Sequence, residues 1–78
     1  MVDERAVIRF TGRLAPASFT SFARHRAARL SLRLDAWQVD KHQARAVLHG
    51  PPDLLDAFEM ACALGPLDCI VLHVMRGE

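Results

Sequence analysis

The 78-residue sequence predicts a two-layer α+β sandwich of ferredoxin-like βαββαβ order, with two helices on one face of a four-stranded antiparallel sheet. Three observations predict it. Apolar residues recur at every second position in four short segments. They recur with a helical period in two segments lying between those four. Pro- or Gly-bearing breaks at residues 14–17, 50–52 and 65–66 separate the segments without leaving a stretch long enough for a linker, so residues 1–78 form one domain.

The first strand occupies residues 5–11, where Ala6, Ile8 and Phe10 share one side and Arg5, Val7, Arg9 and Thr11 the other. From Ser18 the period lengthens. Phe19, Phe22, Ala23, Ala27 and Leu30 fall on one helical face, with Ser18 as the expected N-cap. Leu32, Leu34 and Ala36 then alternate with Arg33, Asp35 and Trp37, and Ala44, Ala46 and Leu48 alternate with Arg45, Val47 and His49. The polar Asp40-Lys41-His42 turn between them makes a hairpin. Pro52 suits the first turn of a second helix, Asp53 and Asp56 complement its N-terminal dipole, and Gly65-Pro66 stops it. A fourth strand follows over residues 69–75.

Composition narrows the function classes. Ten Lys plus Arg against nine Asp plus Glu give a net charge of +1, which supplies no global field for nucleic acid, and no apolar run is long enough to span a membrane. Neither nucleic acid nor membrane is an expected partner. Charged residues interrupt the first eleven positions, unlike a signal peptide, so the expected location is the cytoplasm. Cys62 and Cys69 lack CxxC spacing and read as small core residues in a reducing compartment. His25, His42, His49 and His73 have no ligand spacing with them, so no metal and no cofactor are expected. Ser18, Thr20 or Ser21 with His25 lacks a third orienting group for nucleophilic catalysis, and the Arg24-His25-Arg26 run with Arg29 reads as a solvated helix face. Strand three offers no aromatic on which RNA bases could stack.

Gly12-Arg13 closing strand one, Phe19 at the start of helix one, Leu30-Ser31-Leu32 after it, and Gly50-Pro51 with Phe58 and Gly65-Pro66 together resemble the acylphosphatase family. The resemblance implies a loop between strand one and helix one that cradles phosphate on backbone N–H groups, and metal-free hydrolysis of acyl phosphates. It also implies two working side chains, an Arg directly after the Phe and an Asn at the end of strand two. Such a site works because a guanidinium grips phosphate oxygens as a fork while a carboxamide orients water.

Both side chains have changed here. Thr20 stands at the Arg position and offers one neutral hydroxyl in place of a fixed charge. Gln38 stands at the Asn position in the ungapped register, with its amide one methylene further out, whereas a register anchored on Trp37 puts Asp40 there. The loop reads Leu14-Ala15-Pro16-Ala17-Ser18 and lacks the family's glycines. Pro16 also removes a donor.

Arg13, Ala15, Ala17, Ser18, Phe19 and Thr20 are therefore the expected remnant of an anion-binding loop, and no residue is expected to be catalytic. The expectation is a non-catalytic binding or protein-interaction module. The alternatives are a residual acylphosphatase of low efficiency and a small-anion binding domain. Val7, Trp37, Val39, Val47 and Val71 are expected on the sheet face away from the helices, as an association surface among Arg9, Arg45 and Asp35. The family's further strand beside strand two is missing from this sequence, so homodimer or partner pairing through strand two is expected.

Overall fold

The computed structural model describes residues 2–77. Its elements run β1 (Glu4–Arg13), α1 (Pro16–Arg29), β2 (Arg33–Val39), β3 (Gln43–Gly50), α2 (Pro52–Leu64) and β4 (Ile70–Arg76). The strands order as β2-β3-β1-β4, every neighbouring pair antiparallel. The expected βαββαβ sandwich is what forms. Ala6, Ile8 and Phe10 of β1 join Phe19, Ala23 and Ala27 of α1 in one core with Leu55, Phe58 and Cys62 of α2. Both helices thus cover one face of the sheet.

α1 begins two residues before Ser18. Pro16 takes the first helical position, where its missing N–H removes no intrahelical bond, and Ala15 is the N-cap with no side-chain cap. The first helical bond runs from the Phe19 N–H to the Ala15 carbonyl at 2.8 Å. At the other end Ser31 adopts φ 57°, and the N–H groups of Ser31 and Leu32 donate to the carbonyls of Ala28 and Ala27. That Schellman closure turns the chain into β2, with Ser at a position that usually holds Gly. α2 starts at Pro52 and stops at Gly65, φ 63°, as the sequence predicts.

The hairpin contains a feature that alternation alone does not predict. Leu34 pairs with Leu48, but Ala36 pairs with Val47 and Trp37 with Ala46, so Asp35 is an extra residue in a β-bulge. One inserted residue exchanges the two faces for everything after it. Trp37 and Val39 therefore point to the helix side, not to the open face where they were expected. The Trp37 indole packs edge-on against Phe19 with ring centroids 5.5 Å apart, and its Nε1–H donates to Thr20 Oγ1 at 2.8 Å. Val39 and Val71 likewise pack against the core.

Asp35 is held in the bulge by Arg33, which donates from Nε to Oδ1 at 2.7 Å, and by His49 Nδ1, 2.6 Å from Oδ2. The Arg33 hydrogen bond holds the Asp35 carboxyl below its usual range. With Trp37 packed inside the monomer, its fluorescence emission is expected to be blue-shifted relative to the denatured chain and unchanged on dilution. Emission typical of a solvated indole in the folded protein would contradict this placement.

Candidate functional site

The β1–α1 connection is the segment where the sequence places a phosphate cradle. A helix N-terminus leaves its first four backbone N–H groups without intrahelical partners, and an anion site uses those donors. In α1 they belong to residues 15 to 18. The Ala15 N–H donates to Cys69 Sγ at 3.4 Å, and Pro16 has none to give. Ala17 and Ser18 are what remains. Ser18 Oγ–H donates to Asp68 Oδ1 at 2.8 Å, which brings a carboxylate to the mouth of the helix. The chain's own negative charge thus stands where the helix dipole favours an anion, and it would repel a phosphate.

The side chains expected to work there do not converge. Thr20 accepts the Trp37 indole N–H and faces β2. Gln38 pairs with Arg45, which puts it on the opposite, open face of the sheet from Thr20. Arg13 pairs with Ile70 and lies on the face away from Leu14, which is buried in the core. Phe19 is fully buried and serves the core. Of the expected loop residues, Ala15, Ala17, Ser18, Phe19 and Thr20 stay with the first turn of α1, while Arg13 and Gln38 leave it.

The alternative position, Asp40, comes closer to the loop. Gly12 N–H donates to the His42 carbonyl at 3.0 Å and Leu14 N–H to that of Lys41 at 2.8 Å, so the 40–42 turn lies against the start of the loop. Asp40 Oδ1 is already engaged, accepting the N–H groups of His42 at 2.7 Å and Gln43 at 2.8 Å. Those two bonds hold the carboxyl below its usual range and close the turn. Asp40 is a turn former here.

Sequence reasoning missed Asp68, whose partner Ser18 is 50 residues away. The bulge did leave a signal. Leu32 and Leu34 are apolar in one phase, and Trp37 and Val39 in the other, so the phase changes across Asp35-Ala36.

The two cysteines and Arg26 are taken up by the fold. Both cysteines are free and buried, and burial pushes the Cys62 thiol up to about 12, far from a reactive thiolate. Arg26 leaves the solvated face expected for it and stacks over the Phe22 ring at 5.5 Å. Among the described residues no three His, Cys, Asp or Glu side chains form a group that could hold a metal, and no helix is long and apolar enough to cross a membrane.

The open face of the sheet carries a different constellation. Going across the strands, Arg33, His49 and Arg5 form one row, and Ala36, Val47 and Val7 the next. Gln38, Arg45, Arg9 and Met75 form the third, followed by Gln43, Thr11 and His73. Val7 and Val47 are only 5% and 6% exposed although no helix covers them. The aliphatic stems of the flanking Arg rows can shield such residues while their charged heads stay in water. The apolar association surface expected here is therefore a basic one. A cavity of about 310 Å³ opens on this face, lined by Arg9, Gln38, Val39, Asp40, Gln43 and Arg45.

The two sheet edges also differ. β2 is bulged and carries Arg33 and Asp35, devices that discourage strand pairing. β4 instead exposes Ile70, Leu72 and Met75.

No protein-family model matches the chain, and no curated protein matches it in sequence. Solved structures do match. An acylphosphatase from Bacillus subtilis superposes with TM-score 0.79 at 21% identity, covering 94% of this chain and 81% of that one. An acylphosphatase from Coxiella burnetii gives 0.81 at 17% identity, covering 96% and 79%. A Deinococcus radiodurans R1 protein described as a transposase gives 0.70 at 12% identity, covering 100% and 80%. What this chain shares with them at these identities is the arrangement of strands and helices, and that arrangement is an acylphosphatase-like ferredoxin fold.

Proposed function

We propose that the chain is a non-catalytic binding module on an acylphosphatase-like fold. The observation that carries this reading is the state of the β1–α1 loop, whose mouth holds the chain's own Asp68 carboxylate on Ser18 and whose Ala15 N–H is bonded to Cys69 Sγ. Acyl phosphate hydrolysis needs donors aimed at a dianion and its developing charge, typically worth a hundredfold or more in rate for one such donor. Here Pro16 has no N–H, Thr20 replaces a guanidinium and is engaged by Trp37, and Gln38 lies across the sheet. A residual acylphosphatase would need Thr20 and Gln38 on one side of the sheet.

Hydrolysis of benzoyl phosphate by the purified protein is expected at the buffer rate. Thr20→Arg is expected to restore less than about tenfold over that background, because the Asp68 carboxylate and Pro16 remain. A rate well above buffer in the wild type, abolished by Thr20→Ala, would refute the non-catalytic reading.

A further inference from the structure

Arginines stand on both sides of the sandwich, Arg24, Arg26 and Arg29 on α1 among them, but the two sides arrange their charges differently. On the helix side, Asp53, Asp56 and Glu59 belong to α2, and Arg76 Nη1 is tied to Asp56 at 3.1 Å and Glu59 at 3.0 Å. On the other side, the open face of the sheet carries a line of arginines along β1, while at the β2 edge Asp35 pairs with Arg33 and His49. Arg5, Arg9 and Arg13 recur at every fourth residue of β1 on that face, and all three are exposed. At about 3.3 Å per residue, their Cα atoms follow each other at roughly 13 Å intervals along one strand. Arg45 lies directly beside Arg9, and His49 beside Arg5.

We infer that this face binds the phosphate backbone of nucleic acid, without reading its sequence. The inference goes beyond the non-catalytic reading and does not depend on it, since it uses the opposite face from the β1–α1 loop.

Three features select this occupant over an acidic protein surface. The charges form a linear, regularly spaced array, which suits a polymer with regularly spaced charges. All the fixed cations of the array are Arg, whose planar fork meets phosphate oxygens in bidentate fashion where Lys presents a point charge. The 310 Å³ cavity in the middle of the array adds the Gln38 and Gln43 carboxamides beside Arg9, neutral donors of the kind that hold phosphate and sugar oxygens, and the Asp40 carboxylate that also lines it has its Oδ1 engaged by the His42 and Gln43 N–H groups. The described rows of this face carry no Phe, Tyr or Trp, and its aromatic rings are the imidazoles of His49 and His73, so the contact is mainly electrostatic.

Such a contact has a specific salt dependence, because each neutralised phosphate releases condensed counterions. The test is fluorescence anisotropy with a labelled mixed-sequence single strand and the corresponding duplex, each about 20 nucleotides long. The full chain is titrated at several salt concentrations. Binding to at least one of them is expected with Kd below about 100 μM at low salt, with a log–log salt slope between about −2 and −4 and little change when the sequence is scrambled.

Replacing Arg5, Arg9 and Arg13 together by Gln is expected to weaken binding at least about tenfold and to flatten the slope by about 2. Circular dichroism shows whether that variant is folded. If it is not, Arg9→Gln alone is expected to flatten the slope by about 1.

No binding to either probe at low salt would overturn the inference. So would binding with no salt dependence, binding unaffected by the folded variants, or displacement by polyglutamate as effective as by unlabelled oligonucleotide. The benzoyl phosphate assay neither supports nor weakens this result, so the two readings fail separately.

Discussion

Replacing Phe19 by Ala is expected to cost about 3 to 5 kcal/mol and to leave the chain barely folded at room temperature. Phe19 is fully buried, its ring meeting Phe10 edge-on at 5.6 Å and Trp37 at 5.5 Å, so it joins α1 to β1 in the centre of the sheet and to β2 at its edge. Truncation removes both ring contacts and opens a cavity that the surrounding strands cannot close. A chain of 78 residues has a total stability of about 4 to 12 kcal/mol, so a loss of this size is a large fraction of the whole. In a domain of this length each kcal/mol shifts the melting temperature by about 4 to 8 °C. Thermal unfolding followed by far-UV circular dichroism should therefore show a drop of at least about 12 °C. A drop below about 5 °C would mean that Phe19 does not hold these layers together.

The second large effect is expected at Gly12. Its φ of 155° lies where residues with a side chain are rarely found, and it sits where the β1–β4 register shifts between Thr11 and Gly12. A Cβ added there would lie inside the van der Waals envelope of the Ile70 carbonyl oxygen, a backbone atom that cannot rotate away. Gly12→Ala should therefore push the start of β4 off β1, at a cost of about 2 to 4 kcal/mol from backbone strain together with lost pairing. Urea unfolding should show the lowered midpoint, and hydrogen exchange should show selective loss of protection over Ile70–Arg76. A midpoint equal to that of the wild type would show that β4 can move without cost. The effect acts through the backbone, so Gly12→Val is expected to be no better tolerated.

These two positions show how unevenly the sequence speaks. Phe19 is legible at once, as part of a helical apolar period. Gly12 is visible as a glycine closing a strand, but the carbonyl that forbids a side chain there belongs to Ile70, on another strand. The candidate site divides the same way. The exchange of a guanidinium for a hydroxyl at Thr20 is read directly from the residue type. That this hydroxyl accepts the Trp37 indole N–H depends on which face of β2 carries the indole.

What the sequence by itself determined is the order of the elements, the inward residues of β1, β3 and α1, the ends of α2, and the absence of the two side chains that acylphosphatase chemistry uses. These follow from periodicity, from the fixed φ of Pro52 and from the left-handed conformation open to Gly65, all properties of near neighbours in the chain. Tertiary structure decided three things. The Arg33–Asp35–His49 contacts hold a bulge that turns Trp37 and Val39 inward. Asp68 and Cys69, 50 and 54 residues from their partners, fill the mouth of α1. Strand pairing collects Arg5, Arg9, Arg13 and Arg45 on one face while α2 keeps its carboxylates on the other, although the whole chain is nearly neutral. In each case the deciding partner comes from a different element, and a composition or a local period carries no information about which elements the fold brings together.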